Sequence, residues 1–65
     1  MPIIEITLAQ GRSPEKIRAL ITAVTNAVCL SIDAPKASVR VVVRELPKTH
    51  WAAGDVTLAE REVSS

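Results

Sequence analysis

The chain has 65 residues and a net charge of +1, with 48% of its residues hydrophobic, and it holds one cysteine, one histidine and one aromatic residue, Trp51. This excludes an internal disulfide, a zinc centre with about four protein ligands, a polyanion surface built on runs of Lys or Arg, and a stacking platform for single-stranded nucleic acid. A domain this short is marginal alone, and with disulfide and metal excluded, oligomerisation is the remaining means of support.

Residues 3 to 8 alternate, with Ile4, Ile6 and Leu8 on one side and Glu5 and Thr7 on the other. That is the period of a half-buried strand, and Ala9-Gln10-Gly11 breaks it. Ser13-Pro14-Glu15 then reads as a helix start, with Ser as N-cap, Pro at the first helical position and an acid in the first turn. Ile17, Leu20, Ile21, Val24, Ala27 and Val28 recur at helical spacing and form one apolar stripe. Cys29 lies off the centre of that stripe and reads as a small, partly buried residue, with no histidine or basic neighbour to activate it. The helix is expected to end near Ser31, with Asp33-Ala34-Pro35 as the turn.

A second strand is expected over 39–46, with Val39, Val41 and Val43 on one face and Arg40, Val42 and Arg44 on the other. Pro47 ends it. Lys48 to Asp55 reads as a loop with Gly54 in a turn, and Thr57 to Val63 as a short charged tail. Strand, helix, strand with a crossover of this length implies two parallel strands and a right-handed connection. One helix covers one face of the pair. The other, carrying Ile3, Glu5, Arg40 and Val42, needs a partner, so assembly by sheet packing is expected from pattern alone.

Three features offer chemistry. Removal of Met1 would leave Pro2 with a free secondary amine, and an α-amino group titrates near pH ~8. Burial or nearby arginines would lower that value and make the amine a usable general base. Pro2 also fits as a plain strand-opening residue. Arg12 and Arg40 carry guanidinium forks suited to carboxylates, and either a structural ion pair with Glu5 or Glu45 or an acidic ligand would account for them. Trp51 is core or the wall of a pocket. His50, beside it, has a weaker claim as an acid or base than as an exposed or structurally bonded residue.

Met1-Pro2-Ile3, Gly11-Arg12-Ser13, Ser31-Ile32-Asp33-Ala34-Pro35, Ser38-Val39-Arg40-Val41 and His50-Trp51, in this order and spacing, resemble the 4-oxalocrotonate (2-hydroxymuconate) tautomerase family up to about Gly54. The resemblance implies an α+β fold: one tautomerase domain over 1–65, a β-α-β unit with two parallel strands, assembled into an oligomer, most often a homohexamer. It implies an isomerase that interconverts enol and keto forms of small, acidic 2-hydroxymuconate-like 2-oxo acids without cofactor or metal. Pro2 would be the catalytic base. Arg40 would be both catalytic and substrate-binding, holding one carboxylate and its adjacent oxygen. Arg12 would bind a distant second carboxylate, and Trp51 would line an apolar pocket. Pro2, Arg40 and Arg12 would come from different subunits. The namesake substrate belongs to aromatic-compound catabolism.

The aromatic position is often phenylalanine in the family, and Ala52-Ala53 replaces a more glycine-rich stretch. Three other readings compete, the first being a promiscuous phenylpyruvate-type tautomerase of the same superfamily. Hydratases and dehalogenases of the same superfamily add a carboxylate near position 53, which is Ala53 here. A non-catalytic assembly module would have no need of Pro2, Arg12 and Arg40 together. No apolar run approaches the ~20 residues of a membrane span, and Met1 leads straight into a strand rather than a signal peptide. A cytoplasmic protein with no nucleic-acid or membrane partner is therefore expected.

Overall fold

A computed structural model describes residues 1–64. Strand β1 (Ile3–Ala9) leads into helix α1 (Pro14–Ile32), which returns the chain to strand β2 (Arg40–Leu46). The strands are parallel, in the register Ile3 with Arg40, Ile4 with Val41 and Ile6 with Val43. The parallel β-α-β unit is the one that the alternating and helical periods imply.

Local chemistry sets the boundaries. Gly11 takes φ +134°, a region that disfavours any side chain, and turns the chain out of β1. The Ser13 hydroxyl caps α1 by accepting a hydrogen bond from the Lys16 N–H at 3.2 Å, with Pro14 opening the helix. At the far end Asp33 adopts the left-handed conformation, and Pro35 prevents continuation. A 3-10 turn, Lys36–Ser38, occupies the stretch before Arg40, so β2 begins one residue later than its apolar pattern suggests.

Ile4, Ile6, Leu8, Val41 and Val43 are half-buried beneath Ile17, Leu20, Ile21, Val24 and Val28 of α1. Ala27 is exposed, so the stripe is narrower there than its spacing suggests, and Cys29 is half-buried. Ile3, Glu5, Arg40, Val42 and Arg44 face outward and are exposed. Ile3 keeps 64% and Val42 41% of its surface accessible.

The C-terminal part is more ordered than a loop and a charged tail. After a 3-10 turn at Lys48–His50, β3 (Ala52–Ala53) and β4 (Val56–Thr57) form a short antiparallel hairpin. Gly54 and Asp55, both at positive φ, make the two-residue turn that matches strand twist. Helix α2 (Leu58–Ser64) follows. Thr57 and Glu60 cap it reciprocally: the Thr57 N–H donates to Glu60 Oε1 at 2.8 Å, and the Glu60 N–H donates to the Thr57 hydroxyl at 3.1 Å. The backbone bond from Thr57, with its side-chain bond second, holds the Glu60 carboxyl below its ordinary value.

None of the described residues is fully buried in the single chain. Its accessible surface is 4838 Å², against roughly 4,000 Å² for a compact monomer of this size. Its radius of gyration is 15.1 Å where ~11 Å is expected. The hydrophobic residues have no interior within one chain to fill.

Candidate active site

Parallel pairing divides the functional candidates between two ends of the sheet. At the N-terminal end the Arg40 N–H donates to the Pro2 carbonyl at 2.9 Å, which ties Pro2 to the start of β2. Arg40 Nη1 donates to the Ala37 carbonyl at 2.8 Å, so the 3-10 turn anchors the guanidinium at this edge. Pro2 is half-buried, whereas Met1 before it is 82% exposed.

Strand alternation separates the two side chains all the same. Pro2 shares the helix face with Ile4, and Arg40, opposite Ile3, belongs to the open face. At the other end, Arg12 follows Gly11 and donates from Nη1 to the Ala9 carbonyl at 3.1 Å. The seven residues of β1 lie between Pro2 and Arg12, a span of roughly 23 Å at strand rise.

Trp51 also follows the C-terminal end of β2. It is half-buried, and its carbonyl accepts the Leu58 N–H at 2.9 Å, which hangs α2 on the tryptophan backbone. His50 is exposed, and its N–H is spent on the Pro47 carbonyl at 2.8 Å. The carboxylates do not neutralise the two arginines. Glu5 lies 3.7 Å from Arg44, and no ion pair joins Arg12 or Arg40 to an acid among the described residues.

A cavity of about 650 Å³ opens at the Arg12 end, lined among others by Gln10, Gly11, Arg12, Lys48, Leu58 and Arg61. Pro2, Arg40 and Trp51 do not line it. The sequence candidates therefore do not meet within one chain: Pro2 and Arg40 share an end on opposite faces, and Arg12 stands at the other. Lys48 and Arg61 were not among the candidates. The spacing of Thr57 and Glu60, a capping-box signature, marks a helix start that would have put Arg61 on an ordered element.

The fold and the sequence recur in known proteins. The family described as "Tautomerase enzyme" matches residues 2–61, beyond the Gly54 limit of the motif resemblance. The 2-hydroxymuconate tautomerase of Stutzerimonas stutzeri is 46% identical over 54 residues, covering 83% of this chain and 86% of that protein. A 4-oxalocrotonate tautomerase isozyme from Methylibium petroleiphilum superposes with a TM-score of 0.94 at 33% identity, over 98% of this chain and 100% of the other. A heterohexameric 4-oxalocrotonate tautomerase from Chloroflexus aurantiacus superposes with a TM-score of 0.88 at 38% identity, over 92% and 97% of the two chains. The β-α-β fold, the motif order and these matches together make this chain a member of the 4-oxalocrotonate (2-hydroxymuconate) tautomerase family, an isomerase of the tautomerase superfamily.

Proposed function

We propose that the whole chain, 1–65, works as one cofactor-independent tautomerase domain on 2-hydroxymuconate-like dienol acids, with the Pro2 amine as general base. The observation that carries this is Pro2 itself: a half-buried proline opening β1, behind an exposed Met1 that an aminopeptidase can reach. With Met1 removed, the nitrogen is a secondary amine. It takes the hydroxyl proton of the dienol and returns it to a carbon along the conjugated chain, leaving the ketone. No bond to the enzyme forms, and the amine ends the cycle as it began.

Arg40 is assigned to the carboxylate and oxygen beside the reacting centre. As the hydroxyl proton leaves, negative charge grows on that oxygen, so its contact with a guanidinium is stronger in the transition state than in the ground state. Arg12 is assigned to the distal carboxylate and Trp51 to an apolar wall. Guanidinium groups near the amine favour its neutral form, so one arrangement serves both binding and base strength.

A span of roughly 23 Å is far longer than a six-carbon diacid. The Pro2 of one chain must therefore work with an Arg12 from another, and the opposite facing of Pro2 and Arg40 makes the same demand. We assign the working form to a homo-oligomer, a hexamer, in which neighbouring chains complete each site. Its location is assigned to the cytoplasm: no helix of the described residues is long and apolar enough to cross a membrane. The hydratase and dehalogenase readings are disfavoured by Ala53, which offers no carboxylate to activate water.

The test is spectrophotometric ketonisation of 2-hydroxymuconate beside Pro2→Ala, on protein whose intact mass establishes the loss of Met1. Turnover that collapses in the variant supports the assignment. Full activity in protein that retains Met1 refutes it, because the Pro2 nitrogen is then a tertiary amide. Arg40→Ala is expected to lower mainly kcat, and Arg12→Ala to raise mainly KM for dicarboxylates.

A further inference from the structure

Trp51 stands between two elements that cannot support themselves. The hairpin after it has two residues in each strand, joined by Gly54 and Asp55 at positive φ. An isolated hairpin is marginal in water, and Asp55 carries a side chain in a conformation that disfavours one. Helix α2 has seven residues, well below the ~12–15 that an isolated helix needs. Each therefore depends on the bonds between them.

Those bonds converge on the segment that holds the tryptophan. The Leu58 N–H donates to the Trp51 carbonyl at 2.9 Å, and Arg61 Nη2 donates to the Ala53 carbonyl at 3.1 Å. Lys48 pairs with Glu62, and Ala52, the residue after Trp51, pairs with Thr57. The start of α2 is fixed by Glu60. Its Oε1 accepts the Thr57 N–H at 2.8 Å, and its own N–H donates to the Thr57 hydroxyl at 3.1 Å. Leu58, the first helical residue, lies inside this capped turn. Its N–H is one of the four that a helix leaves without an intrahelical acceptor, and the Trp51 carbonyl takes it.

We infer that α2 is a brace for Trp51, with Glu60 as a positioning residue: its carboxylate fixes the first turn of the helix, and the Leu58 N–H carries that order to the tryptophan backbone. The inference rests on the place given to Trp51 as the apolar wall of the site. Glu60 touches no substrate. It governs the grip on the conjugated middle of the substrate, while the carboxylates belong to the arginines. When the tryptophan is released, affinity falls with the fraction of molecules in which the wall stands in place.

Trp51 is the sole aromatic residue. Tryptophan emission and its quenching by acrylamide therefore read this one side chain in the intact oligomer, its mass verified by sedimentation. Glu60→Ala is expected to move the emission to longer wavelength and to increase quenching. It should raise KM for 2-hydroxymuconate about threefold, with kcat nearly unchanged. Glu60→Gln keeps an acceptor in the same place and should restore all three readings. A merely structural role would lower Tm in Glu60→Ala yet leave emission and KM native well below the melting temperature, and that result overturns the inference.

Leu58→Pro gives a second arm that leaves the cap intact. Proline is accepted at the first helical position, and it removes the N–H that reaches Trp51. It should release the tryptophan as Glu60→Ala does. Leu58→Ala, which keeps the N–H, should not, and equal emission from these two variants overturns the inference.

Calorimetric binding of muconate, which has the conjugated chain but no hydroxyl to ketonise, keeps this failure apart from failure of the chemistry. Weaker binding in Glu60→Ala, restored in Glu60→Gln, upholds the brace even where Pro2→Ala leaves turnover unchanged. A displaced tryptophan with native affinity for muconate refutes the brace and leaves the assignment of Pro2 standing.

Discussion

Replacing Val42 by arginine puts a third guanidinium between those of Arg40 and Arg44 on the open face of β2, opposite Glu5. That face is where the account requires a second chain. The single chain exposes 4838 Å², about 800 Å² more than the ~4,000 Å² of a compact monomer, and this excess equals one partner's share of a standard protein interface. With a little over half of it apolar, at ~25 cal/mol per Å², burying it is worth about 11 kcal/mol per chain. Lost translational and rotational freedom and side-chain ordering offset a large part of that. Glu5 already pairs with Arg44 at 3.7 Å, so the added guanidinium has no acid of its own, and an unpaired buried charge costs ~3–5 kcal/mol and recurs in every chain of a symmetric assembly. The substitution therefore removes most of the margin. Because no described residue is fully buried in one chain, dissociation and unfolding should be one event. Sedimentation velocity and far-ultraviolet circular dichroism across a dilution series read both. The native protein is expected to hold one oligomeric mass to low concentration, and the variant to lose mass and helix signal together. A variant of native mass and melting temperature would refute the reasoning. So would a wild-type monomer that keeps its full helix signal and melts cooperatively.

Two further outcomes are local. Ser13→Ala removes the acceptor of the Lys16 N–H and should destabilise the protein by about 1 kcal/mol, read from denaturant midpoints at constant slope. Glu60 has a lowered folded-state pKa, so its support of α2 is complete above the ordinary value of 4.5 and lost as pH falls through the lowered one. NMR secondary shifts of Leu58 to Glu62 should follow that acid transition in the native protein and lose it in Glu60→Gln.

What could be read from the sequence depended on how local its cause was. The alternation of Ile4, Ile6 and Leu8 and the Ser13-Pro14 helix start act within a few residues, and the structure has them as expected. The hairpin did not show in the pattern because two-residue strands are too short for a period, and only the Gly54-Asp55 turn marks it. The charges after Thr57 suggested a tail, while the reciprocal cap of Thr57 and Glu60 makes a helix of the same residues. For the site, residue types and order pointed to a tautomerase. The separation of Pro2 from Arg12 follows from the length of β1 between them, whereas the meeting of Pro2 and Arg40 at one end could not be read from motif spacing, because it follows from the parallel register of β1 and β2. Lys48 and Arg61 joined no motif, since their cavity is closed only when α2 packs against the turn after β2.

The central claim is that Pro2 and its arginines meet across chains. Mixing Pro2→Ala with Arg40→Ala, two variants each expected to be nearly inactive, tests it most directly. After joint unfolding and refolding, with hybrid oligomers verified by native mass spectrometry, random pairing places an intact Pro2 beside an intact Arg40 of a neighbouring chain in about a quarter of the sites. The account predicts ketonisation near that fraction of the native rate. Verified hybrids no more active than their parents would mean that each site takes both residues from one chain, and would contradict it.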